Sequence, residues 1–281
     1  MNAQSRSEAV LITGCSSGIG RATAERLAKN GHRVYATARR IDSISDLEAA
    51  GCRLLALDVT DEQSMSAAVQ QVEHEEGAVG VLVNNAGYSQ SGAVESIPMD
   101  VVRRQFETNV FGLVRMCQLV LPGMRNQRFG RIVNISSMGG RLVFPGGGFY
   151  HGTKFAVEAI SDALRYEVKG FGVAVVVIEP GRIITEFGTT AAGSLADSGD
   201  GPYAAFNHAV GATTAGAYEG GLSRFGAGPD AVAKAIEKAI KRPRSRVTVT
   251  ASAKIMLGLR KLMTDGMWDR SMRTTYPAPK P

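Results

Sequence analysis

Residues 10–20 decide the fold, and they read Val10-Leu11-Ile12-Thr13-Gly14-Cys15-Ser16-Ser17-Gly18-Ile19-Gly20. An apolar run leads into three glycines, and a segment with helical periodicity follows. This order predicts a strand, a glycine turn and a helix N-terminus, where free N–H groups and the helix dipole favour a pyrophosphate. The spacing is G-x3-G-x-G, and a purely structural turn is the alternative. We predict cofactor contacts from Gly14, Ser16, Ser17, Gly18, Ile19 and Gly20.

Strands and helices alternate along the first 180 residues. Short apolar runs at 33–37, 53–57, 79–83, 131–135 and 173–178 are separated by segments of helical periodicity, which include 61–76, 99–126 and 153–169. This alternation predicts βαβ units, and the continuous apolar runs predict strands covered on both faces. We therefore expect an α/β fold with one doubly wound, Rossmann-type, mostly parallel seven-stranded sheet and helices on both faces.

The chain changes character after Pro180. Residues 186–228 are rich in Gly, Ala, Ser and Thr and are too long for an ordinary connection, so we predict a substrate lid with a short helix at 203–210. A helix at 229–240 and a last short strand at 247–250 follow. We expect a single catalytic domain over 1–281, with a basic C-terminal extension over 251–281.

Composition and charge exclude several classes of protein. The 281 residues are 44% hydrophobic and 21% charged, which is ordinary for a globular chain and excludes a disordered or fibrous one. No run of eighteen apolar residues and no apolar signal segment occurs, so we expect a cytoplasmic protein. Three scattered cysteines and four scattered histidines lack ligand spacing, so we predict no metal site and no disulfide framework.

The net charge of +6 is unevenly placed. Residues 241–281 contain ten Lys and Arg against two Asp, whereas the first 240 residues contain 22 Lys and Arg against 24 Asp and Glu. Because the body has no basic-aromatic patch, we expect no nucleic-acid partner. Residues 251–263 combine apolar and basic positions at helical spacing. We favour a helix that packs over the lid or a neighbouring subunit, and binding to a membrane surface is the alternative.

The second predicted strand ends in Ala38-Arg39-Arg40. NAD-binding loops of this kind place an acid about 20 residues after the glycines, where it holds the ribose 2′-hydroxyl. Ala38 occupies that position here, and a guanidinium suits a 2′-phosphate through charge-assisted hydrogen bonds. The sequence therefore predicts NADP(H), held by Arg39 and Arg40, in preference to NAD(H). A solvated arginine pair is the alternative.

A second group of residues has the chemistry of proton transfer. Tyr150 and Lys154 are four residues apart, so they share one helix face. A phenol is a poor acid or base at neutral pH, and an adjacent ammonium favours its phenolate form. Ser137 follows a buried strand whose carboxyl end points toward the ligand crevice of an open α/β sheet. Ser137 and Tyr150 could therefore bind one substrate oxygen together.

With these residues in order, the chain resembles the short-chain dehydrogenase/reductase superfamily. The resemblance covers residues 9–185, and Cys15-Ser16-Ser17 with Tyr35-Ala36-Thr37 and Arg39 is most similar to the 17β-hydroxysteroid and retinol dehydrogenase-like branch. It implies four catalytic residues: Tyr150 as general acid or base, Lys154 on the phenol and the nicotinamide ribose, Ser137 on the carbonyl, and Asn109 holding a water through its backbone. It also implies cofactor contacts from Asp58, Val59, Asn85, Ala86, Gly87, Pro180, Gly181 and Thr185, with further contacts from Tyr150 and Lys154.

The resemblance implies an NADP(H)-dependent oxidoreductase that interconverts an alcohol and a carbonyl. A nucleotide-sensing regulatory protein of the same fold without turnover is the alternative. A homodimer or homotetramer is implied, with 99–126 and 153–169 as interface helices. His151, Gly152 and Arg182 depart from the usual pattern, and Arg182 is either a contact to an acidic substrate or a surface residue. Apolar residues at 138, 142–145 and 149 suggest a medium-sized apolar small-molecule substrate.

Overall fold

The computed structural model describes residues 6–187, 193–195, 201–219 and 226–279. Seven strands form one sheet in the order β3-β2-β1-β4-β5-β6-β7, and every pairing is parallel. Their bounds are β1 Val10–Ile12, β2 Val34–Ala38, β3 Arg53–Ala56, β4 Val81–Asn84, β5 Gly130–Ile135, β6 Val173–Glu179 and β7 Arg246–Thr248. The prediction of a doubly wound sheet is confirmed.

Helices cover both faces of this sheet. Their bounds are α1 Gly18–Lys29, α2 Glu62–Glu76, α3 Met99–Phe106, α4 Gly112–Asn126, α5 Gly148–Glu167, α6 Ala204–Glu219, α7 Pro229–Lys241, α8 Ala251–Leu262 and α9 Asp265–Met272. Alternate strand residues point to opposite faces, so Leu11 packs with α2, α4 and α5 while Val10 and Ile12 pack with α1 and α7. Both faces of β1 are therefore buried, as its continuous apolar run predicts.

The strand order places a crevice at the carboxyl edge of the sheet. The chain leaves β1 for β2 on one side and returns to β4 on the other, so the connections after β1 and β4 diverge. In open α/β sheets a ligand binds at this switch point. The glycine turn follows β1, residues 85–87 follow β4, and Ser137 lies two residues after β5. The fold thus gathers the predicted site residues at one edge.

Two helices of the first 180 residues differ from their predictions. The helix predicted over 99–126 contains a π-helical segment, Glu107–Phe111, between α3 and α4. The helix predicted from Thr153 begins at Gly148, because the left-handed φ of +78° at Gly146 ends the preceding loop. A side chain at Gly146 would also overlap Val210 of α6, so glycine is required there on two grounds.

The region predicted as a lid is partly described. Its helix is α6, Ala204–Glu219, which is longer than the predicted segment at 203–210. Asn207 of α6 accepts a hydrogen bond from the Ala93 N–H at 2.9 Å, which joins this helix to the loop after β4. Residues 188–192, 196–200 and 220–225 of the predicted lid lie outside the described residues.

The C-terminal helices pack against the loop that precedes α5. Trp268 of α9 is buried, and its Nε1–H donates to the Val143 carbonyl at 3.0 Å. It shares a small apolar cluster with Leu142 and with Leu257 of α8. The sequence interpretation contained no helix at 265–272, and this helix supports the loop that precedes α5. Among the described residues, no helix is both long and apolar enough to cross a membrane.

Candidate active site

The glycine turn after β1 is a tight cradle. Gly14 and Gly18 have φ values of +73° and +57°, which side chains rarely adopt. A Cβ at Gly20 would overlap the Gly14 carbonyl oxygen and lie 2.5 Å from Asn85 Nδ2. The three glycines therefore let α1 begin directly against the turn. Ser17 precedes α1 in extended conformation, and its side chain does not cap the helix, so the first N–H groups remain available to an anion.

The loop after β4, residues 85–87, is hydrogen-bonded to the glycine turn. Asn85 Nδ2 donates to the carbonyls of Thr13 and Gly14, both at 2.9 Å. In return, the Thr13 hydroxyl accepts from the N–H groups of Asn85 and Ala86, both at 3.0 Å. The predicted cofactor residues of the two loops are thus held as one unit. Threonine and asparagine suit this task because each bonds to backbone groups.

The end of β2 fits a phosphate. Ala38 is buried and offers no carboxylate, whereas Arg39 and Arg40 are exposed and make no ion pair with any described residue. Two guanidinium groups without an ion pair to any described residue would complement a 2′-phosphate through charge-assisted hydrogen bonds. The residues present therefore fit a nicotinamide dinucleotide, and the α1 N-terminus offers free N–H groups to an anion.

The remaining predicted cofactor residues surround the same crevice. A Cβ at Gly18 would contact Thr185 at 3.4 Å, so Thr185 lies across the glycine turn. The Pro180 carbonyl accepts from the Met138 N–H at 2.9 Å, which joins residues 180–181 to the Ser137 turn.

Asp58 and Val59 follow β3 at the same edge. The Asp58 carboxylate accepts from the Thr60 N–H at 2.9 Å, and this bond fixes the turn. The Val59 side chain is buried in the core, and its carbonyl lies close to Gly112 of α4. Only the backbone of Val59 is therefore left to meet an adenine.

Lys154 is a buried cation beside Tyr150. Its Nζ donates to the Ile135 carbonyl at 2.8 Å and lies 5.8 Å from the centre of the Tyr150 ring. Burial lowers the pKa of Lys154 from 10.5 to about 8, and the Glu158 carboxylate acts in the opposite direction. A lysine with this pKa is still charged at neutral pH but gives up its proton more easily than a solvated one. This geometry agrees with the prediction that Tyr150 and Lys154 share one face of α5.

Asn109 lies in the π-helical segment, and both ends of its side-chain amide form hydrogen bonds. Its Oδ1 accepts from the Tyr88 N–H at 3.0 Å, and its Nδ2 donates to the Tyr88 carbonyl at 2.8 Å and to Thr153 Oγ1 at 3.1 Å. A Cβ at Gly87 would lie 3.1 Å from Asn109 Oδ1 and 3.8 Å from Lys154 Nζ. Gly87 therefore lies beside both residues, and both amide N–H groups of the Asn109 side chain are already committed.

Ser137 and His151 are held around Gly139. The Ser137 Oγ accepts from the Gly139 N–H at 3.0 Å, which leaves its own hydroxyl proton free to donate. His151 Nε2 accepts from the Phe144 N–H at 3.2 Å, so Nδ1 bears the proton and donates to the Gly139 carbonyl at 2.9 Å. Burial lowers the pKa of His151 and keeps it neutral. His151, a departure from the family pattern in the sequence, positions the loop between Ser137 and Tyr150.

A partly buried charge cluster behind the site has no local sequence pattern. Arg246 of β7 contacts Glu158 and Asp162 of α5 and Glu179 of β6, with Nε 2.9 Å from Glu158 Oε2. Glu179 is completely buried and also accepts from the Thr248 hydroxyl at 2.6 Å. The cluster joins β6, β7 and the helix that bears Tyr150 and Lys154. Among the described residues, no group of His, Cys, Asp or Glu side chains could hold a metal ion.

Comparisons with known proteins show which family the chain resembles. The family model described as "short chain dehydrogenase" matches residues 8–194. A 3-ketodihydrosphingosine reductase of Bacteroides thetaiotaomicron is 45% identical over 178 residues, which is 63% of this chain and 65% of that one, so the match spans less than two thirds of the reductase.

Solved structures resemble the chain over most of its length. A short-chain dehydrogenase from Streptomyces avermitilis has a TM-score of 0.77 at 33% identity, covering 96% of this chain and 98% of that one. The closed form of a serine dehydrogenase complexed with NADP+ has a TM-score of 0.73 at 27% identity, covering 85% and 93% of the two chains. From its sheet order, its glycine cradle and these matches, the chain belongs to the short-chain dehydrogenase family of oxidoreductases.

Proposed function

We propose that this chain is an NADP(H)-dependent oxidoreductase that interconverts an alcohol and a carbonyl on a medium-sized apolar substrate. The observation that carries the proposal is the buried Lys154 beside Tyr150, on a helix that starts next to the Ser137 turn. A buried ammonium costs stability, and a chain that only binds a nucleotide would have little use for it.

The proposed mechanism assigns one task to each residue. When bound, the nicotinamide supplies the hydride that reaches the carbonyl carbon, or accepts it in the reverse direction. Ser137 donates its free hydroxyl proton as a hydrogen bond to the carbonyl oxygen, and Tyr150 transfers its phenol proton to that oxygen. Lys154 stabilises the phenolate that remains. Asn109 supports proton return from solvent through its backbone.

A Tyr150→Phe variant tests the mechanism. The assay is nucleotide oxidation with a panel of steroid, retinoid, aromatic and long-chain ketones or aldehydes. Removing a general acid should lower kcat by about 100-fold or more. Tyr166→Phe is the matched control, because Tyr166 lies on the same helix and is 83% exposed. Equal rates in Tyr150→Phe and wild type would refute the enzyme mechanism and favour the nucleotide-sensing alternative.

The preference for NADP(H) rests on Ala38, Arg39 and Arg40. Replacing Ala38 by Asp should place a carboxylate where the 2′-phosphate would sit and shift the ratio of kcat/KM toward NADH. Arg39→Ala with Arg40→Ala should weaken NADPH binding by about tenfold or more, with little effect on NADH. Arg103→Ala, at another exposed arginine, is the control. An unchanged ratio in the Asp variant would overturn the assignment.

The substrate class is inferred from the wall of the site. Met138, Phe144 and Leu142 belong to one apolar cluster, and Phe187 packs on Tyr150 with ring centres 5.7 Å apart. The reductase from Bacteroides acts, by its name, on a ketone of a long-chain base, which agrees with an apolar wall. Activity restricted to small polar carbonyls would contradict this class. Membership of the 17β-hydroxysteroid and retinol dehydrogenase-like branch stays a prediction that the same panel tests.

We also propose a homodimer or homotetramer built from a single domain. The exposed apolar side chains of Phe111 and Phe155 lie on or beside the two helical regions predicted as interfaces. Sedimentation equilibrium of the wild type measures the mass of the assembly, and a monomer at micromolar concentration would contradict this proposal.

A further inference from the structure

Helix α8 turns an apolar stripe away from the protein. Its inner face is held by Ala253 and Leu257, which are buried against the rest of the chain. Its outer face presents three large aliphatic side chains at i, i+4 and i+7, namely Ile255, Leu259 and Leu262, which are 65%, 54% and 82% exposed. A surface helix ordinarily turns polar residues outward. The sequence interpretation favoured packing for this helix, and the described residues leave its outer stripe uncovered.

Basic side chains border the stripe and are not neutralised within the described part of the chain. Lys254 and Lys261 are exposed and lie together on the adjoining helix face, again seven residues apart. Two other basic residues of this region are paired, Arg246 with Glu158 and Arg260 with Asp265. Six exposed residues form no ion pair with any described residue: Arg242, Arg244, Lys254, Lys261, Arg270 and Arg273.

We infer that the outer face of α8 docks on an anionic lipid surface. An aliphatic stripe flanked by lysines suits the boundary between acyl chains and phosphate headgroups, where the stripe is buried and the ammonium groups stay hydrated. A nucleic acid would satisfy the cations but would leave the aliphatic stripe without a partner. A second copy docked through the same face would bring two strongly basic segments together, which like charge disfavours.

The location of α8 connects this surface with the substrate wall. Met256 of α8 packs in the same apolar cluster as Met138, which directly follows Ser137. A groove of about 640 Å³ runs beside the stripe and is lined by Val249, Ile255, Met256 and Leu259 among others. A chain docked in this way would hold the apolar wall of its site one helix away from the lipid. An amphiphilic carbonyl in the membrane would then be a fitting substrate, and this last step alone rests on the proposed function.

Vesicle co-sedimentation of the full chain tests the docking without any turnover. The probes are phosphatidylcholine vesicles with and without about 30 mol% phosphatidylglycerol, at low and high salt. Wild type should bind the anionic vesicles and lose affinity with salt. Lys254→Glu with Lys261→Glu should weaken binding about tenfold or more, since each charge near the surface contributes to partitioning. Ile255→Ser with Leu259→Ser and Leu262→Ser should abolish binding even at low salt.

A matched pair of charge reversals separates a specific face from net charge. Lys29 and Lys234 are exposed on α1 and α7, and Lys29→Glu with Lys234→Glu changes the charge by the same amount away from α8. This variant should bind vesicles like wild type, and equal weakening in both pairs would overturn the inference. The inference would also be overturned if wild type did not bind the vesicles. It would equally be overturned if the triple Ser variant of the stripe changed the oligomeric mass and left vesicle binding unchanged. Thermal melts confirm that each variant is folded, and failure of the carbonyl assay would leave the vesicle result unaffected.

Discussion

Replacing Lys154 by Met should stabilise the protein while removing its proposed activity. The pKa of Lys154 falls from 10.5 to about 8 because the side chain is buried. At about 1.36 kcal/mol per pH unit, keeping this ammonium charged inside the protein costs about 3 kcal/mol at neutral pH. Methionine has a similar length and bears no charge. It loses the hydrogen bond to the Ile135 carbonyl, worth about 1 kcal/mol, so the net gain in unfolding free energy should be about 2 kcal/mol.

The pH dependence gives this prediction its sign. Because the folded pKa lies below the unfolded one, the unfolded state binds more protons between pH 8 and 10.5, and wild-type stability rises with pH across that window. The advantage of the Met variant should therefore be largest below pH 8 and disappear by about pH 10.5. Urea titrations of both proteins without nucleotide, at several pH values, measure the difference. The same comparison in a Tyr150→Phe background removes the neighbouring phenol, whose titration Lys154 would also affect. A difference that does not change with pH would refute the reasoning.

Three further substitutions test other parts of the structure. Gly20→Ala should lower the free energy of unfolding by about 1–3 kcal/mol, because the new methyl group would overlap Gly14 and Asn85. It should also abolish NADPH binding, measured by calorimetry. Gly170→Ala is the control, since Gly170 has open space around it and neither quantity should change. His151→Leu removes the hydrogen bonds to Phe144 and Gly139, which hold the loop between Ser137 and Tyr150. The KM for the carbonyl should therefore rise about tenfold, while the Kd for NADPH stays the same. An unchanged KM would contradict the positioning role of His151. Arg246→Ala leaves the buried carboxylate of Glu158 without its cation, whereas Glu179 keeps Arg141 and Thr248. A urea titration should therefore show a loss of about 3 kcal/mol, which the exposed Arg242→Ala should not reproduce.

Local features of the sequence were enough to predict the sheet and the cofactor turn. Strands buried on both faces read as continuous apolar runs, and the glycines at 14, 18 and 20 are required by backbone geometry, so each leaves a local pattern. Tyr150 and Lys154 could also be paired from a local pattern, because residues four apart share one face of a helix. The family-derived roles of Ser137 and Asn109 remain proposals, although the structure places both residues near the same edge.

Other features depend on distant residues and have no such pattern. The π-helical segment at Asn109 cannot be recognised from residues 107–111, because its geometry is stabilised by contacts to Tyr88 and Thr153. The Arg246 cluster joins positions up to 88 residues apart. The start of α5 was misplaced because Gly146–Gly148 resembles a loop, yet only Gly146 has a positive φ. Helix α9 has one buried apolar residue, Trp268, so its periodicity is too weak to detect.

The hydrogen bond from Trp268 to Val143 has a consequence for comparing this protein with its relatives. Trp268 lies 74 residues beyond the end of the family match at residue 194, yet it supports the loop that we propose as the substrate wall. In the proposed site, substrate selectivity would therefore depend partly on a segment outside the family match. Two members with nearly identical residues up to 194 could therefore prefer different ketones, and exchanging their last helices should exchange those preferences.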